Sequence, residues 1–276
     1  MKSMKKSNKL ALIIAVIMAI FFIVPLLYMF FTSFKSMSES LSSAGLVPQS
    51  WTMENYQSLL EDTSTSPMIR WLLNTTLVTV VGTTIVVTID VLAAYALARL
   101  NLPFKNIALF IVIASLTIPG IVTLFPNFFI MQEIGVIDTY IPLIVIYTSS
   151  SMGVYMIYNF LKSFPGELEE AAALDGASRW QILRHVILPS IKGPTTTLAI
   201  MTFLAIYNDF LWPSLVTNST EMKTVTVGVA NLVQGANFVN PGRMMAATVI
   251  ATIPALIVFV FAQRFFIQND TASGIK

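Results

Sequence analysis

Long apolar runs alternate with short polar stretches along the whole chain. A helix needs about 20 predominantly apolar residues to cross a bilayer. Six runs meet that length: Leu10–Phe31, Trp71–Ala98, Ile107–Met131, Tyr140–Leu161, Pro194–Val216 and Met244–Ile267. The pattern predicts an all-α, polytopic membrane protein, a single transmembrane domain over residues 1–276 with six transmembrane helices. The opening MKSMKKSNK resembles the basic start of a secretory leader. The apolar run behind it is longer than a leader's, and no small-residue cleavage site follows closely, so it reads as an uncleaved first span.

Composition agrees. Hydrophobic residues make up 55% of the chain and charged residues only 11%, against about 25% charged in ordinary soluble domains. Too little polar surface remains to coat a water-soluble globule. The net charge of +2 is small and the basic residues form no single patch, which argues against nucleic acid as a partner. With no cysteine there is no disulfide framework, thiolate metal site or cysteine nucleophile.

Lys and Arg orient the spans, since they gather on the cytoplasmic side. With the N-terminus inside, twelve of the 16 lie in cytoplasmic segments and only Lys35, Arg70, Lys223 and Arg243 lie outside. Both termini are then cytoplasmic, as is the loop 162–193. The segment 32–70, with its amphipathic WTMENYQSLL (51–60), the turn around EIGVID and the segment 217–243 face outward.

The loop sequence ELEEAAALDGASRWQILRHVILP (167–189) is unlike the runs on either side of it. Pro165 suits a first helical turn, where its missing N–H is not needed. Glu167, Glu169 and Glu170 place negative charge at the positive end of a helix dipole. Ala171 to Leu174 favour helix, and Gly176 is a natural left-handed stop. Ser178 and Gln181 have capping-box spacing for a second helix. On that helix Trp180, Leu183 and Ile187 fall on one face at helical spacing, with Arg184 and His185 off it, and Pro189 ends it. An amphipathic hairpin resting on lipid headgroups is one reading. A docking site for a soluble protein is the other, favoured by small alanines where lipid adsorption uses bulky apolar residues and many lysines.

EAA, three residues, Gly, nine residues and then V-I-L-P (170–189) resembles the EAA loop of ABC importer permeases, with Val186 where isoleucine is usual. FTSFK (31–35), WLLNTT (71–76), AAYALARLNLPFKN (93–106), YNDFLWP (207–213) and MAATVIATIPALIVFVFAQRFF (245–266) are similar to the second permease subunit of maltose-type carbohydrate importers. The tail NDTASGIK (269–276) is also similar to that subfamily's, without its final glycine. The resemblance implies a multi-pass protein of a bacterial or archaeal cytoplasmic membrane. It would pair with a second homologous permease subunit, two cytoplasmic ATPase subunits and an extracytoplasmic sugar-binding protein, with no cofactor of its own. It also implies that Glu170, Ala171, Ala172, Asp175, Gly176, Leu188 and Pro189 form a coupling-helix loop against an ATPase. No GxxxxGK[ST] phosphate loop exists in the chain, so ATP hydrolysis belongs to the partners.

Asp90 and Asp209 are the acidic residues inside predicted spans, where a lipid-facing charge costs about 2.5–3.5 kcal/mol. For Asp90 the bland reading, a hydrogen-bonded contact between helices, is favoured. Tyr207, Asn208, Asp209 and Trp212 combine hydroxyl-binding and ring-stacking groups suited to a sugar pathway. A packing role between two permease subunits explains Asn208 and Asp209 equally well. Pro119, Gly120 and Pro126 interrupt the third run, and His185 has no neighbouring metal-ligand set. A secondary transporter driven by an ion gradient is the rival class, with Asp90 and Asp209 as weak coupling-ion candidates. An intramembrane enzyme is disfavoured by the missing catalytic groups.

Overall fold

The computed structural model describes residues 2–42, 45–234 and 240–272. Residues 235–239 of the segment 217–243 and 273–276 of the tail lie outside the described residues. Every regular element among the described residues is a helix. That is what lipid requires, because a helix pairs its own backbone polar groups. The chain forms two compact units, residues 1–72 with 225–253 and residues 73–224 with 254–276.

Among the described residues three helices are long and apolar enough to cross a membrane unbroken. They are Lys9–Ser33, Met68–Arg99 and Pro241–Gln263, with mean hydropathies of 3.2, 2.2 and 2.4. They coincide with the first, second and sixth runs. The other three runs are not single helices. The third is Lys105–Ser115 followed by Gly120–Glu133 at an angle of 100°. Pro119, extended at ψ 129°, stands at that bend. It can donate no helical hydrogen bond and keeps its predecessor out of the helical region. Pro126 lies inside the following helix without ending it. The fourth run is Tyr140–Val145 and Ser151–Ser163, and the fifth is Lys192–Tyr207 and Leu211–Val216.

In the first unit the chain leaving the helix Lys2–Ser33 is held by buried polar groups. The Asn55 amide donates to the carbonyls of Ser33 at 2.9 Å and Lys35 at 2.8 Å. The buried Lys35 ammonium donates to the carbonyl of Gly45. The expected helix over 51–60 runs over Glu54–Glu61, beginning where Thr52 Oγ1 accepts from the Glu54 amide at 3.2 Å. Trp51 stays outside it and packs on Phe31 and Phe34. Arg243 and Asp62 form an ion pair at 2.7 Å.

The second unit has two apolar clusters. One joins Val91, Ala94 and Leu97 of the second span to Ile157 and Leu161 of the fourth and to Ile187 of the loop. The other gathers Val78, Met131, Leu143, Ile206, Trp212 and Val216. Near the latter, Asn74 donates to the carbonyls of Glu221 at 2.7 Å and Lys223 at 2.9 Å and accepts from Tyr140 at 2.6 Å.

Candidate functional site

The loop folds as two short helices around a sharp stop. The first, Glu167–Leu174, is capped by Gly166, so Pro165 sits just ahead of the first turn rather than within it. Gly176 has φ +84°. Its amide donates to the Ala173 carbonyl at 3.1 Å and the Ala177 amide to the Ala172 carbonyl at 3.0 Å, the paired bonds of a Schellman stop. The Ser178 amide then donates to Gln181 Oε1 at 2.7 Å and the Gln181 amide to Ser178 Oγ at 3.3 Å, completing the expected capping box.

The second helix departs from expectation twice. Leu183 and Ile187 are buried with Ile182, but Trp180 is 62% exposed. Residues Leu183–Ile187 wind as a π-helical turn, with the Leu188 amide bonded to the Leu183 carbonyl five residues behind. Trp180 lies ahead of that turn, in the α-helical stretch Arg179–Ile182, and stands off the buried face at the start of the helix. Pro189 does not end the helix either. It occupies the first turn of Leu188–Ser190, and helix resumes at Lys192. Its absent N–H would have paired with the His185 carbonyl in an α register, and the widened turn removes that requirement.

The two loop helices are therefore unequal. The second is rooted in the apolar cluster of the spans, whereas the first buries no residue. Glu170, Ala171, Asp175 and Gly176 are exposed, as are Leu188 and Pro189, and Ala172 is partly buried. Leu174 is 89% exposed on the same first helix.

One connection was invisible in the sequence. Arg99, the last residue of the second span's helix, contacts Glu169 Oε1 through Nε at 2.7 Å and donates from Nη2 to the Phe164 carbonyl at 2.7 Å. Burial pushes the Glu169 carboxyl above its ordinary range, against the opposing pull of Arg99 and Arg179. Glu169 reads from sequence as dipole complement only, because nothing local marks a partner 70 positions away.

The breaks in the spans are joined by polar pairs. The buried Asp90 accepts from the Ser150 amide at 2.9 Å, which fits the interhelical contact expected of it. Ser115 and Ser151 share a hydrogen bond at 2.6 Å. Asp209 accepts from the amide of Leu211 at 3.0 Å and from the hydroxyl of Tyr147. Of the four pathway candidates, Tyr207 and Trp212 are buried, Tyr207 against Phe203 and Trp212 donating from its ring nitrogen to the Pro142 carbonyl at 2.9 Å. Asn208 is exposed and Asp209 half-buried. His185 is exposed with Nδ1 at 3.1 Å from the Gln181 carbonyl. Among the described residues no group of three or more His, Cys, Asp or Glu gathers as a metal site.

Residues 89–269 match the family model described as "Binding-protein-dependent transport system inner membrane component". The chain is 30% identical over 252 residues to the diacetylchitobiose uptake system permease protein of Streptomyces coelicolor, covering 90% of this chain and 82% of that one. It is 32% identical over 270 residues to the trehalose/maltose transport system permease protein of Thermococcus litoralis, covering 97% and 96%. Its fold is similar to a chain of a bacterial ABC transporter involved in the import of the acidic polysaccharide alginate, with a TM-score of 0.86, 21% identity and coverage of 96% and 98%. The chain is a multi-pass membrane protein that belongs to the family of inner-membrane components of binding-protein-dependent transport systems.

Proposed function

We propose that this chain is a permease subunit of an ATP-driven, binding-protein-dependent importer of carbohydrate, with the loop 162–193 as its attachment to an ATPase subunit. The observation that carries this reading is the asymmetry of the loop. Its second helix is rooted among the spans while its first presents Glu170, Ala171 and Leu174 to the outside. A lipid-adsorbed hairpin would bury its apolar face in headgroups and surround it with lysines, and the first helix contains none. Relatives that carry diacetylchitobiose and trehalose or maltose support carbohydrate as the substrate class.

In this reading a binding protein delivers sugar from outside, and a second homologous permease completes the pathway. ATP-driven closure of two ATPase subunits moves the loop, so that the spans alternate between outward and inward access. The chain itself supplies no ATPase chemistry. Asn208 and Asp209, at the break of the fifth span, are the pathway groups. The twelve-to-four distribution of basic residues supports six crossings with both termini cytoplasmic. The ion-gradient alternative has no support among the relatives.

Purification of the tagged chain from membranes holding its untagged partners tests the assembly, and an ATPase and a second permease should follow it. A chain that emerges alone yet supports ion-coupled uptake in vesicles without ATP would refute the proposal. Reporter fusions after Lys276 and within 162–192 should read as cytoplasmic.

A further inference from the structure

The first loop helix is short, exposed and without a buried residue, so any displacement imposed on it must reach the spans through a small number of contacts. One route is its stop, which joins it to the second loop helix through the bonds at Gly176 and Ala177, together with Ala172, which packs on the apolar cluster of the spans. The other is Arg99. We propose that Arg99 is a positioning residue that ties the first loop helix to the cytoplasmic end of the second span, so that movement of the loop displaces that span directly.

The geometry suits this role. Arg99 ends a 32-residue helix and contacts the chain entering the loop at the Phe164 carbonyl and the first helical turn at Glu169, both at 2.7 Å. The two side chains are only 16% and 13% exposed, so solvent screens the contact less than it would a surface pair. One guanidinium donates to the carbonyl through Nη2 and sets Nε beside the carboxylate, a division of contacts that a lysine ammonium does not reproduce. The pair stands beside a cleft of about 530 Å³ that Arg99, Glu169, Glu170, Ala173, Arg179 and Ile182 help to line. Arg179, on the second loop helix, is the other cation drawn to Glu169. The tether thus lies where both loop helices and the end of the second span converge. Its glutamate is the neighbour of the motif's own Glu170, which leaves Glu170 exposed for a partner.

This inference rests on the importer reading. The test uses the complete transporter in liposomes with its binding protein, and compares Arg99→Glu, Glu169→Arg, their combination and Arg99→Lys. Sugar imported per ATP hydrolysed and ATPase retained on purification are both measured. Each single reversal should keep the ATPase bound but lower the coupling ratio on the order of 5–150-fold, the range of typical couplings between sites. The double reversal, which restores opposite charges, should recover most of it, and Arg99→Lys should fall between. Single reversals that import normally, a double reversal no better than the singles, or singles that shed the ATPase would each overturn the proposal. An unsubstituted chain that binds no ATPase would instead defeat the importer reading, and the tether with it.

Discussion

Asp90 accepts a hydrogen bond from the Ser150 amide at 2.9 Å, and this joins a fully buried carboxylate to the start of the half-helix Ser151–Ser163. The positive end of a helix suits a negative group. A side chain at Gly153 would not fit beside it, since an added Cβ would lie 2.1 Å from Asp90 Oδ2 and 2.8 Å from Leu198 Cδ1. Gly153→Ala should therefore destabilise the purified protein by about 1–3 kcal/mol through overcrowding. Asp90→Ala should cost about the same by leaving the Ser150 amide unpaired. Asp90→Asn, which keeps an acceptor, should cost less than Asp90→Ala in thermal unfolding followed by fluorescence. An equal cost for the two would show that the hydrogen bond is not what Asp90 contributes.

Asn208 is the cleaner probe of the substrate pathway. Its amide bonds back to the Leu204 carbonyl of its own helix at 2.8 Å, so Asn208→Ala disturbs no neighbouring element. Uptake should fall about two- to tenfold, the worth of one hydrogen bond, with assembly and ATPase turnover unchanged. Asp209→Ala should behave less simply, because Asp209 also accepts from the amides that open the helix Leu211–Val216. A failure of Asn208→Ala to assemble would support the packing role instead.

Acid should weaken the segment around Asp62 in the first unit. Burial pushes the Asp62 carboxyl up, but bonds from Ser66, the Thr65 amide and Arg243 outweigh it and hold the group below the usual carboxylate range. A carboxylate depressed in the folded state contributes stability above its unfolded pKa and loses it as pH falls through the folded value. Asp62→Asn should therefore lower stability at neutral pH and flatten its decline toward acid. Thermal unfolding across a pH series measures both effects, and parallel curves for the two proteins would contradict them.

Gly176 is placed by its backbone. At φ +84° a β-branched side chain is strained by about 1–3 kcal/mol. Gly176→Val should re-aim the first loop helix, abolish transport and weaken ATPase retention, while insertion into the membrane stays normal. Normal transport by that variant would mean the stop is not needed to present the helix.

Local signals in the sequence were sufficient for the stop of the first loop helix and the cap of the second. Gly176, Ser178 and Gln181 act within a few residues of themselves, so their types and spacing specify the stop and the cap. The three continuous spans are also plain, because hydropathy over 20 or more residues is a property of the run itself. The breaks in the other three were not legible. Only Pro119 marks its bend, and the ends at Val145 and Tyr207 depend on polar partners contributed by other helices, such as Asp90 for Ser150 and Tyr147 for Asp209. Spacing does not show that Trp180, ahead of the π turn, stays exposed, or that Pro189 remains within helix behind the π turn at Leu183–Ile187. Tyr207 and Trp212 look like sugar-stacking rings in sequence, and nothing local to them shows that both are buried within this chain.

The central claim is that the exposed first loop helix meets an ATPase subunit, and site-directed crosslinking tests it most directly. The chain has no cysteine of its own, so cysteines introduced one at a time at the exposed Ala171 and Ala173 are unique reporters. In membranes where the complete importer is active, both should crosslink to the ATPase subunit, whereas a cysteine at the exposed Ser64, which the proposed topology places outside, should not. If neither position crosslinks to any soluble protein while the same membranes import sugar, the loop is not the coupling surface and the account fails at its centre.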